Sequence, residues 1–272
     1  MSEVGAIRFL VEQYYDIQKM RVQAFNRIIA YVKSHASHNV NETHKHIASH
    51  KSIETQSKHA VKPSIIAKRI IKGEVAVPAE IGDLVWYHNR LYETEKELAK
   101  KLDAWSKNHP LRIHFLNRIQ GMGPILSSAL IAWLSPISRF PNISKLWKYC
   151  GLAPGQKRRR GQKINYNPHL KTLMWKIATS FEKQKPEKSF FRRLYDKKKA
   201  YYYTREDLRS AVEKGDKGAR KHIQLLTLTF TAKRFSAYLW LYWRKLEGLP
   251  ITKPYAFDVL GHTDYEEWEP DK

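Results

Sequence analysis

Apolar residues recur every three or four positions along most of the chain, which is the spacing of amphipathic α-helices rather than of strands. Two long helices are predicted, over residues 5–33 and 83–105. The apolar positions near one face of the first helix are Ile7, Leu10, Val11, Tyr14, Ile17, Ala24, Phe25, Ile28, Ile29 and Val32. In the second, a coiled-coil spacing of seven residues separates Leu84, Leu91, Leu98 and Trp105. The pair predicts an antiparallel hairpin or an arm for dimerisation.

Glycine, proline and asparagine divide the rest of the chain into shorter helices. The predicted helices cover 62–72, 111–119, 124–134, a short segment capped by Asn142, a segment that starts at Asn167 and Pro168, and roughly 218–247. The predicted fold class is therefore all-α. We expect a helical arm over 1–105 with a His-rich loop at 34–60, a helix-hairpin-helix domain over 106–250, and an extended tail over 251–272.

The composition indicates an anionic partner. The chain has 49 Lys and Arg against 26 Asp and Glu, a formal net charge of +23, and the usual polyanions are DNA, RNA and anionic membranes. The densely apolar part of the longest uncharged stretch, 125–134, is too short to span a membrane. The N-terminus lacks the features of a secretion signal, and one cysteine, Cys150, cannot form an internal disulfide. We expect a soluble, cytoplasmic protein with no membrane partner.

The turn at Gly121, Met122 and Gly123 is a candidate phosphate contact. A helix-hairpin-helix needs small residues at this place so that the backbone can approach a phosphate. Free N–H groups at the start of the second helix, and its dipole, then bind the anion. A GxG turn alone equally suits an ordinary connection between helices, and its surroundings favour the phosphate contact.

Positive charge is concentrated next to this turn. No Asp or Glu occurs in residues 104–181, and residues 155–200 contain fifteen Lys and Arg against three acids. The densest cluster lies in a loop predicted over residues 152–166, which we call the basic loop. The predicted phosphate-binding residues are Gly121, Gly123, Lys157, Arg158, Arg159, Arg160, Lys163, Lys171, Arg192 and Arg193.

Aromatic residues are interleaved with these cations and suit either the core or stacking on unpaired bases. They are Tyr166, Trp175, Phe190, Phe191, Tyr195, Tyr201, Tyr202 and Tyr203. We assign Trp175 to the core.

The histidines between residues 34 and 60 present two alternatives. His35, His38, His44, His46, His50 and His59 lie within 25 residues, and such spacings could hold zinc. Their neighbours are Ser, Asn and Lys, with no cysteine and no apolar frame, which favours a solvated basic loop. We predict no metal and no cofactor.

Two segments carry a resemblance to a known family. Residues 121–130 (GMGPILSSAL) and 137–154 (ISRFPNISKLWKYCGLAP) resemble the C-terminal domain of bridge-RNA-guided insertion-sequence transposases. That family shares GxGP, a Phe with a short helix, GLxP, a basic loop, and a helix similar to residues 167–173. The resemblance covers about 115–180. Residues 240–250 and 260–263 resemble archaeal stand-alone proteins classed as such transposases.

The resemblance implies catalytic parts that this sequence does not match. The full-length enzymes carry a resolvase-like domain with four metal-binding carboxylates and a nucleophilic serine in the loop after GLxP. Here the first 105 residues predict helices, and residues 155–163 (GQKRRRGQK) contain no Ser, Thr, Tyr or Cys. Ser127, Ser128 and Ser144 lie in predicted helices, where they are expected to cap or pack. A covalent or metal-assisted mechanism therefore lacks its residues, and we assign no catalytic residue.

The function predicted from the sequence is sequence-tolerant binding of DNA or structured RNA by a transposase-derived protein without catalysis. The family's coiled-coil segment pairs subunits, which implies a homodimer through helices 5–33 and 83–105. Two alternatives stay open. One is an active recombinase that uses an unrecognised serine or a partner, and the other is a structural protein of a ribosome or RNA particle.

Overall fold

The computed structural model describes residues 3–36, 61–156 and 160–252, and within them it contains ten α-helices and no strand. The prediction of an all-α fold is confirmed. The helices are α1 (Glu3–Ala36), α2 (Pro63–Ile71), α3 (Gly82–Ser106), α4 (Pro110–His114), α5 (Pro124–Leu134), α6 (Ile143–Tyr149), α7 (Pro168–Glu182), α8 (Phe190–Thr204), α9 (Glu206–Glu213) and α10 (Lys217–Leu246). Most of the predicted His-rich loop and of the predicted tail lies outside the described residues. No helix in the described ranges is long and apolar enough to cross a membrane.

Contacts between residues divide the chain into two units. The first, Phe9–Lys101, contains most of α1, all of α2 and most of α3, and we call it the arm unit. The second contains residues 3–8 and 102–252, and we call it the core unit. Helices α4 to α10 therefore all belong to the core unit.

In the arm unit, α1 and α3 run antiparallel within one chain. Gln18 Nε2 donates to Glu95 Oε1 over 2.8 Å, while the ring of Phe25, further along α1, lies 5.9 Å from that of His88, earlier on α3. An apolar cluster with α2 closes the end of this hairpin: Ile28, Val32, Ala67, Ile70, Ile81 and Val85. The faces of α1 and α3 that pack against each other, which we call the seam, are therefore buried within a single chain.

The seam of α3 is more polar than the leucine spacing predicts. Leu91 is buried as expected, but Leu84 and Leu98 are only partly buried, and His88 and Glu95 are buried beside them. Burial alone would raise the pKa of Glu95, but hydrogen bonds from Arg21 and Gln18 and the charge of Arg21 outweigh it, and the pKa lies below its ordinary value. A paired carboxylate at a seam position fixes the register of the two helices.

The core unit begins with a break in a predicted helix. Residues 111–119 predict one helix, yet α4 ends at His114, Phe115 leaves the helical region (φ −129°), and Leu116–Arg118 forms a short 3-10 helix. Phe115 and Leu116 are both buried. The burial pattern therefore keeps a helical period across the break, which explains why the sequence predicts a single helix.

The following helices begin where the sequence predicts them, and side-chain caps fix the starts of α6 and α7. Helix α5 begins at Pro124 and ends at Leu134, with the predicted bounds. Asn142 Oδ1 accepts from Lys145 N over 3.0 Å at the start of α6, and Asn167 Oδ1 accepts from Leu170 N over 3.1 Å at the start of α7. Both are N-caps that satisfy a backbone donor of the first turn.

Helix α10 supplies much of the apolar core of the core unit. Phe235, Trp240 and Trp243 are among its fully buried side chains. Phe235 packs edge-on against Phe181 of α7 and Phe191 of α8, and Trp240 Nε1 donates to the Phe140 carbonyl over 2.7 Å. Helix α10 thereby holds α7, α8 and the segment before α6 in place, and these elements carry the candidate site.

Candidate nucleic-acid interface

Gly121 and Gly123 lie in the predicted turn, and Gly121 is fixed by packing. Its φ of +94° is in the left-handed region that favours glycine. A Cβ there would lie 3.1 Å from Ser180 Oγ and 3.1 Å from Gln184 Nε2, and Ser180 Oγ donates to the Gly121 carbonyl over 2.7 Å. Gly121 therefore serves the contact between the turn and the end of α7.

Gly123 has open surroundings. It is the N-cap residue of α5 with extended backbone (φ −81°, ψ 171°), and it makes no side-chain cap hydrogen bond. A Cβ added to Gly123 would meet no atom within 4 Å. Of the two glycines, Gly123 is the one beside which an anion has room at the positive end of a helix dipole.

The basic loop leaves the C-terminal end of α6 and returns to it. At the loop's start, Leu152 N donates to the Trp147 carbonyl over 2.8 Å, and at its end Asn167 N donates to the Tyr149 carbonyl over 2.8 Å. Gln156 Nε2 donates to the Lys148 carbonyl over 3.0 Å. Both ends of the loop are therefore tied to the C-terminal part of α6.

The cations of the loop are accessible where they are described. Arg160 and Lys163 are exposed, whereas residues 157–159, which include Lys157, Arg158 and Arg159, lie outside the described residues. Lys171 is partly buried, with its Nζ 4.6 Å from the centre of the Tyr166 ring. Two further exposed lysines, Lys145 and Lys148, lie on α6 and are not among the predicted phosphate-binding residues.

A positive φ at Gly151 allows Tyr166 and Lys171 to pack against the start of the loop. Gly151 has φ +69°, and a Cβ there would lie 2.8 Å from Tyr166 Cδ2 and 3.0 Å from Lys171 Cδ. The contact requires a residue without a side chain, and it brings the end of the loop and α7 together beside Gly151.

Arg192 and Arg193 lie in the first turn of α8 and donate to carbonyls at the end of α7 and in the segment after it. Arg192 donates to the carbonyls of Glu182 and Gln184 and, over 2.8 Å, to Asp196 Oδ2. Arg193 is exposed and donates to the Pro186 carbonyl over 2.9 Å. Arg192 therefore satisfies backbone acceptors that a helix end leaves free, and a phosphate would compete with these contacts.

The assignment of Trp175 to the core is wrong. Its side chain is 50% exposed. The buried residues of α7 are Leu170, Leu173, Met174, Ile177, Ala178 and Phe181. Trp175 lies off that face, one turn after Lys171, because the two residues are four apart.

Trp175 forms part of a depression of about 280 Å³ between α7, α10 and the start of the basic loop. The other lining residues come from three separate segments: Gly151, Leu152, Ala153, Gly155 and Gln156, then Lys171, then Leu228, Thr229 and Ala232. The helical spacing within α7 is the one signal in the sequence that could have placed Trp175 here.

The other interleaved aromatics divide between core and surface. Phe191 and Tyr195 are buried, Tyr166, Phe190 and Tyr202 are partly buried, and Tyr201 and Tyr203 are exposed. Burial, with hydrogen bonding to Glu182, raises the pKa of Tyr195 far above its ordinary value. Tyr195 therefore keeps its proton and is a poor nucleophile.

The three serines near the motif differ in accessibility. Ser127 and Ser128 are fully buried, and Ser128 Oγ lies 2.8 Å from the carbonyl oxygens of Leu102 and Pro124. Ser144, in the first turn of α6, is exposed. Burial also raises the pKa of the Cys150 thiol to about 12. Within the described ranges, no group of three or more His, Cys, Asp or Glu side chains is placed to hold a metal ion.

Most of the site lies in a segment of this all-helical chain that matches a family model, and the match supports a transposase-like domain. Residues 113–192 match the family model described as Transposase IS116/IS110/IS902 family. The matched segment runs from α4 into α8 and contains the glycine turn, α5, α6, the basic loop and α7. A search of curated proteins gave no match.

Proposed function

We propose that this transposase-derived protein binds DNA or structured RNA through the glycine turn and the basic loop, largely independently of base sequence. One observation carries the proposal. The stretch without any Asp or Glu, residues 104–181, overlaps most of the transposase-like segment, residues 113–192. Cations within residues 104–181 can pair only with acids from elsewhere in the chain or with an external anion.

The positions of the cations support contact with a phosphate backbone. Arg160 and Lys163 are exposed on a loop whose ends are tied to α6, and Lys145 and Lys148 are exposed on α6 itself. Phosphate contacts of this kind contribute affinity and register but carry no base information. Their neutralisation releases counterions, so affinity falls steeply with salt concentration.

We further propose that binding occurs without strand cleavage. The basic loop between residues 155 and 163 has no hydroxyl or thiol, and the buried Ser127 and Ser128 are not accessible to a phosphodiester. Detection of a covalent protein–DNA adduct, tested with Ser144→Ala beside the wild type, would instead support an active recombinase. Retention of one abundant RNA from cells would support guidance by RNA.

The basic loop is tested with the triple variant Arg158→Ala, Arg159→Ala and Arg160→Ala. Three phosphate contacts contribute about 2–3 to the slope of log affinity against log salt. We expect the slope to fall by about that amount and the affinity to fall more than tenfold at low salt, with an unchanged melting temperature. Fluorescence anisotropy with a labelled duplex and a labelled RNA hairpin measures both quantities.

The matched control removes three cations from the arm unit, with Lys68→Ala, Lys100→Ala and Lys101→Ala. These side chains are exposed, so the control changes the net charge equally and leaves the core unit intact. Equal weakening by the two triple variants would mean that net charge alone governs binding. An unchanged affinity of the loop variant at low salt would refute the assignment of the site.

We also propose a homodimer through helices 5–33 and 83–105. Since the seam between α1 and α3 is filled within one chain, such a dimer would use the outward faces of these helices. We expect light scattering to give twice the mass of one chain at micromolar concentration. The mass of a single chain would contradict the proposal.

A further inference from the structure

We propose that the depression beside Trp175 holds an unpaired nucleobase, stacked on the indole ring, so that the preferred ligand is a single strand or a helix with an unpaired base. This inference rests on the proposed function and names the class of nucleic acid that the same surface takes.

Trp175 offers a flat apolar surface to solvent. Half of its side chain is exposed, although α7 buries six other residues in the core. Leu228 and Ala232 of α10 contribute apolar lining to the same depression, and Leu225, one turn earlier on α10, is 45% exposed. The exposed indole of Trp175 and the lining from α10 give the depression apolar walls.

The size of the depression limits the occupant. Its volume of about 280 Å³ lies just below the range of roughly 300–1,000 Å³ for ligand pockets, so it suits one ring system rather than a large ligand. Gly151 and Gly155 line one wall, and a Cβ added to Gly155 would meet no atom within 4 Å, so this side of the depression has room for a planar group. The indole of Trp175, which also lines the depression, offers a flat face on which a planar ring can stack.

The charges around the depression indicate that the ring is attached to an anionic chain. Lys171 lines the wall, and the basic loop, with exposed Arg160 and Lys163, continues from the residues of the other wall. The segment from 104 to 181 contributes no carboxylate that would repel a phosphate. A nucleobase on a sugar–phosphate chain combines a flat apolar face with negative charge, as this surface requires.

The bases of a continuous duplex cannot reach this position. In a duplex both faces of each base are stacked on neighbours, so a base must be extruded or already unpaired to reach an aromatic side chain. The glycine turn and basic loop bind phosphates in any nucleic acid, whereas the depression distinguishes ligands with an unpaired base.

The test compares two probes that differ in one base. One is a duplex with a single bulged nucleotide, and the other is the same duplex with an abasic sugar at the bulge. We expect wild-type protein to bind the first more tightly by about 5- to 150-fold, the range that stacking of one base produces. Trp175→Ala should abolish this difference and leave affinity for the abasic probe within about twofold, while Trp175→Phe should keep part of it.

Two further variants make the result specific. Thr229→Phe keeps the indole but fills the depression from α10, where Thr229 is exposed, and it should also abolish the difference. Trp86→Ala removes an indole that is 61% exposed in the arm unit and should change nothing. Circular dichroism checks that each variant is folded.

The outcomes separate the two proposals. If wild-type protein binds neither probe at low salt, the proposed function itself fails. If it binds both with equal affinity, or if Trp175→Ala and Thr229→Phe keep the full difference between probes, the nucleobase site is refuted and phosphate binding stands.

Discussion

Gly121 and Gly123 are separated by one residue, but their surroundings give them different roles. The carbonyl of Gly121 accepts a hydrogen bond from Ser180, and its φ of +94° excludes most side chains. Gly123 has ordinary extended angles and free space around its Cα. The sequence predicts the turn but not this division, because the contact with Ser180 joins residues 59 positions apart.

Gly123→Ser is expected to change stability and affinity in opposite directions. A serine at an N-cap accepts a hydrogen bond from an N–H of the first turn, which stabilises a helix by a few tenths of a kcal/mol relative to glycine. The same N–H groups would no longer be free for a phosphate. We expect a slightly raised melting temperature and an affinity for duplex lowered several-fold, measured by calorimetry and anisotropy.

The control for this substitution is Ser144→Ala, which alters a hydroxyl in the first turn of α6 instead. An affinity that rises or stays constant in Gly123→Ser would show that the start of α5 is not a phosphate contact.

The error at Trp175 has a physical cause. Large aromatic residues are usually buried because they remove much apolar area from water, and this general preference outweighed the position of Trp175 on its helix. With about 100° between successive residues, the apolar face of α7 is already filled by Leu170, Met174 and Ile177. The spacing of residues within α7 was therefore sufficient to predict that Trp175 lies outside the core.

At the scale of elements, the spacing of apolar residues predicted the existence and the ends of the helices better than it predicted which helices pack together. Helix α5 has the predicted bounds, and Asn142 and Asn167 cap α6 and α7 as expected. The polar seam of α3 was missed, because a search for leucine every seven residues does not detect Glu95 or His88. A buried carboxylate at such a position can be predicted only when its partner on the facing helix is known, because burial of an unpaired charge is unfavourable.

The buried ion pair of the arm unit makes its stability depend on pH. The pKa of Glu95 in the folded chain lies below its ordinary value of 4.5, so the contribution is fully present above pH 4.5 and is lost as the pH falls towards the lower folded value. We expect Glu95→Gln to cost about 1–2 kcal/mol at pH 7 and progressively less as the pH falls below about 4.5.

Thermal unfolding of wild type and Glu95→Gln between pH 7 and pH 3 measures this contribution. The difference between the two melting temperatures cancels the effect of carboxylates elsewhere in the chain. A difference that stays constant or grows as the pH falls would contradict the assigned pairing of Glu95 with Arg21 and Gln18.

At the scale of the whole molecule, the sequence predicted the charge of the surface but not its shape. The stretch without acids is visible in the composition alone. The depression beside Trp175 is assembled from residues 151–156, 171–175 and 228–232, and contacts over such separations leave no periodic signal. The fold class and the positive charge could therefore be predicted from the sequence. The shape of the site could not, because it depends on how α10 packs against α7.

The late position of α10 has a consequence for synthesis on the ribosome. The acid-free stretch ends at residue 181, while the buried tryptophans Trp240 and Trp243 follow about 60 residues later. At roughly 5–20 residues per second, several seconds pass between their translation. During that interval a cationic nascent segment emerges beside ribosomal RNA before the helix that completes its hydrophobic core exists. The speed of translation through residues 217–246 therefore sets how long the newborn chain is exposed to adventitious capture by RNA.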